Sequence, residues 1–194
     1  MGLIRITPPG ADPVTLEEMK SHAHVDGAAE DARIQDFIRT AIARLDGRDG
    51  LLGRALITQA WRFTFVGFPP AITLPLPPCQ TVLEVRYVDP AGILRTLASD
   101  AYQVFGLGGS EPAQILPDFG SDFPAARRSP ESVLVEFRAG YGDAAADVPD
   151  PLRTAIKLHA AHLFEHREAV AAGSFTELPH GYEDLIRDYR MWSF

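Results

Sequence analysis

Ile57-Thr58-Gln59-Ala60-Trp61-Arg62-Phe63-Thr64-Phe65 is where the sequence changes its period. Large apolar residues alternate with mostly polar ones, the pattern of a half-buried β-strand. Upstream of it the period is helical. Ile34, Phe37, Ile38, Ala41, Ile42 and Leu45 recur at steps of three and four and make one apolar stripe, with Asp31, Arg33 and Asp36 off it. Gly47, Gly50 and Gly53 end that helix. A shorter helix precedes it over Thr15 to Ala23, where Thr15 can cap the free amides and Glu18, three residues on, completes a capping box.

Downstream, short apolar runs continue at Ala71 to Leu74, Val82 to Val88, Ile93 to Leu97, Tyr102 to Phe105 and Val133 to Phe137. Turn-formers separate them: Pro69-Pro70, Pro77-Pro78, Asp89-Pro90-Ala91-Gly92 and Gly106 to Gly109. No helix-length crossover intervenes, so the strands are expected to form an antiparallel sheet or small sandwich. Ser110 to Pro130 reads as a long irregular loop. Helical spacing returns at Asp150, a good N-cap, with Pro151 at the first helical position and Leu152, Ile156, Ala160, Leu163 and Phe164 as the apolar face. A last short helix is expected from Tyr182 to Tyr189. The fold class is therefore α+β. Residues 12–54 and 148–190 would form a small helical bundle, residues 55–140 an antiparallel β insertion, and 191–194 a tail.

The bulk numbers narrow the function classes. The net charge of −8 over 194 residues argues against an electrostatic grip on nucleic acid, which needs clustered Lys and Arg. The single cysteine, Cys79, cannot form an internal disulfide, and its neighbours Pro77 and Pro78 place it in a turn as a small apolar residue. Met1 to Pro9 contains no apolar stretch of secretion-signal length, and no run is long enough to span a membrane. The expectation is a soluble protein that works in a cell or in a particle assembled there.

Several local sequences then fall in order. They are Leu16 to Lys20, Val25-Asp26, Glu30-Asp31, Gly53-Arg54-Ala55-Leu56, Gln59-Ala60-Trp61 and Phe68-Pro69. Leu74-Pro75, Tyr87-Val88-Asp89, Gly92, Phe137 to Asp143, Pro149, Ala155-Ile156, His166-Arg167-Glu168, Leu178-Pro179 and Tyr189-Arg190 come after them. The ordered series resembles the head–tail connector family of tailed phages, also called adaptor or head-completion proteins, and its relatives in gene transfer agents. His166 stands where relatives often have Asn.

The resemblance implies wedge-shaped subunits in a twelvefold ring beneath the portal, helices around the channel and β parts outward. Such a ring lengthens the DNA channel, lets DNA pass without specific binding, and is a platform for a tail-side neck, stopper or tail-terminator protein. It implies no enzyme activity, no cofactor and no membrane, with assembly in the bacterial cytoplasm.

Rival motifs are weaker. His162-Leu163-Phe164-Glu165-His166 matches the His-x-x-Glu-His pattern of inverted zinc hydrolases, with two histidines on one helical face and Glu165 as general base. His159 lies one turn earlier, but no third-ligand motif accompanies them, and short motifs match often by accident. Ala139 to Asp143 is glycine-rich, yet a phosphate loop needs a helix starting at once and six residues intervene here. Asp26, Glu30 and Asp31 precede a helix, where acidic residues suit the dipole. A ligand-binding role for the β region would want an aromatic platform that the sequence does not offer.

Arg190, Met191, Trp192 and Phe194 are interface-type residues beyond the last periodic helix. They are the candidate portal-docking segment. Trp61, in an alternating strand, is expected in the core.

Overall fold

The computed structural model describes residues 1–166 and 180–191. Eight strands and four α-helices are seen among them, and the chain divides into two compact units.

The first unit, Met1–Gly10 with Thr58–Tyr141, holds all the strands. Its main sheet runs in the order β1 (Gly2–Thr7), β2 (Gln59–Phe65), β8 (Val133–Ala139), β4 (Cys79–Val88), β5 (Leu94–Thr96), every pair antiparallel. A three-stranded sheet is ordered β3 (Ile72–Thr73), β7 (Gln114–Pro117), β6 (Tyr102–Phe105). The alternation that marked β2 sorts its neighbours too. Trp61 and Phe65 are buried with Val133, Val135, Phe137 and Val85, while Ile72 and Ile115 are the buried residues of the smaller sheet. On the opposite face of the main sheet, one Glu136 oxygen accepts from Arg62 at 2.6 Å and from Arg86 at 2.8 Å.

Three features of this unit depart from the sequence reading. The first residues form an edge strand. Leu3 to Thr7 alternates too briefly to stand out, and β1 is held by pairing with β2 and by Gly2 donating to the Thr64 hydroxyl at 3.2 Å. The expected loop from Ser110 to Pro130 contains β7, which is central in its sheet. Only Ile115 is fully buried in it, so the strand lacks an apolar run of its own. Cys79 is the first residue of β4 rather than a turn residue, and burial pushes its thiol up to about 11.

The second unit, Ala11–Ile57 with Gly142–Phe194, holds the helices. Helix α1 (Leu16–Ala23) starts with the expected capping box, Glu18 N–H donating to the Thr15 hydroxyl at 3.2 Å and Thr15 N–H to the Glu18 carboxylate at 3.0 Å. Helix α2 (Asp31–Leu45) buries Ile34, Ile38, Ala41 and Leu45, and α3 (Asp150–Glu165) buries Leu152, Ala155, Ile156 and Ala160. The two pack together, and at one end Phe37 meets Phe164 edge to face, centroids 6.4 Å apart. Leu163 and Phe164 are only half-buried, so the stripe of α3 is narrower at its end than its spacing suggests. Arg153 of α3 reaches α1, bonding Glu18 and donating to the Pro13 carbonyl at 3.1 Å.

Asp150 is the first residue of α3 and not its cap. The Pro149 carbonyl already accepts from Leu152 and Arg153, so Pro149 takes the cap position and Pro151 the second helical one. Helix α4 (His180–Arg187) presents Tyr182 and Ile186 inward.

Candidate functional site

The candidate docking segment begins as an integral part of the helical unit. After α4, Tyr189 N–H returns to the Ile186 carbonyl at 3.1 Å and Arg190 N–H to Arg187 at 3.3 Å. Met191 then settles on the loop after α2. That loop is folded tightly, Leu51 N–H bonding Arg44 at 2.8 Å, Gly47 N–H bonding Arg54 at 2.7 Å, and Leu56 N–H meeting the Asp46 carboxylate at 2.8 Å. Glycine is needed inside it: a Cβ on Gly50 would stand 2.3 Å from the Leu45 carbonyl oxygen.

From this loop the buried Arg54 donates its Nε–H to the Tyr189 carbonyl, and Met191 N–H donates to Leu52 at 2.9 Å. Gly53, at φ +62°, lets Met191 approach, with an added Cβ meeting the Met191 Cβ at 3.3 Å. Arg190 pairs with Glu183 of α4 at 2.7 Å. Arg190 and Met191 thus have intramolecular partners on the α2 loop and on α4. Trp192 and Phe194 lie outside the described residues. The sequence reading missed Arg54 and Glu183 as the partners that fix the start of this segment. The Gly47–Gly50–Gly53 spacing was the available signal, although it reads as a helix stop before it reads as a seat.

Among the described residues the histidine helix does not assemble a metal site. His162 and His166 lie ring against ring at 4.4 Å, and His166 Nδ1 is 3.0 Å from the His162 carbonyl oxygen, so that ring ends the helix. Glu165 is exposed. The His159 ring packs edge to face with Tyr182 at 5.7 Å. Burial, then the charges of His162 and Arg44, hold the His159 imidazole below its ordinary value. Burial likewise pushes the Tyr182 phenol up to about 12. No group of three His, Cys, Asp or Glu converges among the described residues, and the hydrolase reading gains no support.

Of the other candidates Asp26 is exposed, and the rest are occupied by the chain's own groups. Asp31 pairs with Lys20 at 2.6 Å and Glu30 with Arg33 at 3.1 Å. In the glycine-rich stretch Gly140 N–H donates to Pro78 at 3.0 Å, while Ala144 N–H meets the Asp147 carboxylate at 2.8 Å. An amide already bonded to an internal carboxylate is not waiting for phosphate. No helix among the described residues is long and apolar enough to cross a membrane.

The geometry therefore defines a class, a mixed α+β protein whose distinctive residues tie segments of chain together. Comparison with solved structures gives the setting. Over 100% of its length the chain is similar to a chain of "Virion of native gene transfer agent (GTA) particle", at 26% identity, TM-score 0.80 and 97% of that chain. It is similar to chains of "Neck of empty GTA particle computed with C6 symmetry", at 27% identity and TM-score 0.79, and of "Neck of native GTA particle computed with C12 symmetry", at 26% and 0.78. Each match covers 100% of this chain and 97% of the other. No protein-family model and no curated protein matches the chain. The resemblance drawn from the ordered motifs is thus met at full length in three dimensions: the chain is similar to chains of gene transfer agent particles and their necks, which supports a structural protein of head–tail connector type.

Proposed function

We propose that the protein is an adaptor that forms a ring between the portal of a phage-like capsid and the tail, lengthening the DNA channel and offering a platform for tail attachment. The observation that carries this reading is the full-length similarity to neck chains, in structures computed with sixfold and twelvefold symmetry. A ring of identical subunits requires a head-to-tail interface between two different faces of each copy, closed by the rotation. Its partners are then neighbouring copies, the portal on one side and a tail-side neck, stopper or terminator protein on the other, with assembly in the bacterial cytoplasm.

The C-terminal residues Arg190, Met191, Trp192 and Phe194 are the proposed portal-docking segment. Arg190 and Met191 are seated on the helical unit, so the segment leaves from a fixed point, which lowers the ordering cost of docking. DNA passes without sticking. The β unit has seven arginines against eight carboxylates, and −7 of the chain's net −8 lies in the helical unit. Imaging of particle necks, with co-purification of the portal, tests the reading. A closed ring contacting the portal is the expected result, and a single copy or an open filament would end it.

A further inference from the structure

The five-stranded sheet ends on two unlike edges, β1 and β5, and among the described residues no further strand pairs with either. Both edges are open to solvent. Ile4 on β1 and Leu94 on β5 are each 53% exposed, and all of β5 is exposed. Their backbones face outward as well. Asp89 N–H donates to the Ile93 carbonyl at 2.9 Å and Leu97 N–H to the Val85 carbonyl at 2.8 Å, so the alternate residues Leu94 and Thr96 turn their amides and carbonyls away from β4. Val88 N–H donates to the Ser132 carbonyl at 2.8 Å, and the same alternation, carried through the register of β8 and β2, turns Leu3 away from β2. An uncovered edge with apolar side chains is a template for another strand. The two edges also agree in direction and in face. Four antiparallel steps separate β1 from β5, so both run the same way. Ile4 lies opposite Arg62, Thr96 lies opposite Arg86, and both arginines bond Glu136, so Ile4 and Leu94 project from one face of the sheet. A bulge after Arg5 ends the regular part of β1, which leaves a stretch about as long as the three residues of β5.

We infer that the β5 edge of one copy pairs in parallel with the β1 edge of the next, so that the sheets run on from subunit to subunit. Leu94 of one copy then lies beside Ile4 of its neighbour, and each covers the other. The inference rests on the ring reading and names the two faces that reading requires. The sheet itself favours a second copy over the portal or the tail-side protein. A foreign strand would fill one edge and leave the other bare. A rotation that keeps strand direction, the operation in the sixfold and twelvefold symmetry of the similar neck structures, fills both edges with one repeated joint. A twofold pairing of β1 with β1 would instead be antiparallel and would leave β5 uncovered. The joint is short, so one alone holds weakly, and closure of the ring supplies the rest.

The test is made in assembled particles carrying the double variant Ile4→Cys, Leu94→Cys, treated with a thiol cross-linker of about 8 Å reach. That reach exceeds the strand spacing of about 4.8 Å and falls short of the roughly 19 Å across one copy's own sheet, so only neighbours can be joined. The native Cys79 is fully buried and stays unreacted. The expected result is a ladder of this chain's multimers beyond the dimer, with no ladder from either single variant. A ring seen by imaging without the ladder overturns the inference and spares the ring reading. Dimers from Ile4→Cys alone overturn it in favour of the twofold pair, and a cross-link to a different neck protein overturns it in favour of that partner. Necks that hold no ring remove the ring reading and this inference together. A second variant, Leu94→Pro, deletes one outward amide and no bond to β4. It is expected to melt near wild type and to enter particles at least about tenfold less, since every joint loses a backbone bond. Incorporation at the wild-type level would overturn the inference.

Discussion

At the scale of single residues, the helical unit keeps two polar groups in apolar company. The Tyr182 side chain is fully buried, and its hydroxyl has no hydrogen-bond partner among the described residues. A buried hydroxyl without a partner costs about 1–3 kcal/mol of desolvation. Tyr182→Phe is therefore expected to raise the melting temperature or leave it unchanged, by calorimetry; a clear fall would show a bond that the residue makes elsewhere. His159, against the same ring, has its pKa lowered from 6.5 by burial, with His162 and Arg44 adding repulsion. The unfolded chain then takes the proton first. The stability due to the neutral imidazole is full above about 6.5 and is lost as pH falls from there towards the folded value. His159→Phe should flatten the decline of melting temperature between about pH 7 and 5, whereas an unchanged slope would place that sensitivity elsewhere. Glu18 acts in a lower window. Burial raises its pKa, but the Thr15 amide and Arg153 outweigh that and hold it below the ordinary 4.5, so its contribution is lost only in stronger acid.

At the scale of elements, the loop between α2 and β2 has little room for change. Gly50 has the Leu45 carbonyl 2.3 Å from where a Cβ would stand, and backbone cannot swing aside as a side chain does. Gly50→Ala is expected to cost about 1–3 kcal/mol, read as a lower denaturant midpoint with unchanged slope. Gly27, with open space around its Cβ position, has no such steric clash. The helices were legible in the sequence because their signals are local: Ile34, Ile38, Ala41 and Leu45 repeat on one face, and Thr15 with Glu18 form a self-contained cap. Strands β2 and β8 were legible for the same reason. Strands β1 and β7 were not, since what places Leu3 opposite Phe63 and Gln114 opposite Phe105 is pairing across dozens of residues or a hairpin with little apolar content. The seat of Met191 was hidden for a like cause: Leu52 and Met191 are joined by backbone atoms, which carry no sequence signature.

At the scale of the whole molecule, the proposed neck setting sets different demands on stability and on assembly. Removing Trp192 to Phe194 spares the Met191–Leu52 bond, the Arg190–Glu183 pair and the Arg54–Tyr189 contact. The truncated protein is expected to melt as the full chain does and yet fail to join heads to tails. Normal joining would remove the docking proposal, and a large fall in melting temperature would assign the aromatics to the core. For DNA, the expected result is no retention of duplex at about 0.15 M salt, because a chain of net −8 neutralises few phosphates. Submicromolar binding under those conditions would contradict the proposed passive channel.

The division of the chain between units also orders its synthesis. The β unit is complete once Tyr141 has been made, because β8 joins β2 to β4. Helices α1 and α2 are translated earlier but wait longer. Helix α2, with Ile34, Ile38 and Ala41 on its apolar face, has only α1 to pack against until α3 emerges, and the loop after α2 waits for Met191. The half of the protein that holds these helices is thus finished last. During that interval the nascent chain carries a partly uncovered apolar stripe as well as a folded β unit, the kind of surface on which chaperones act.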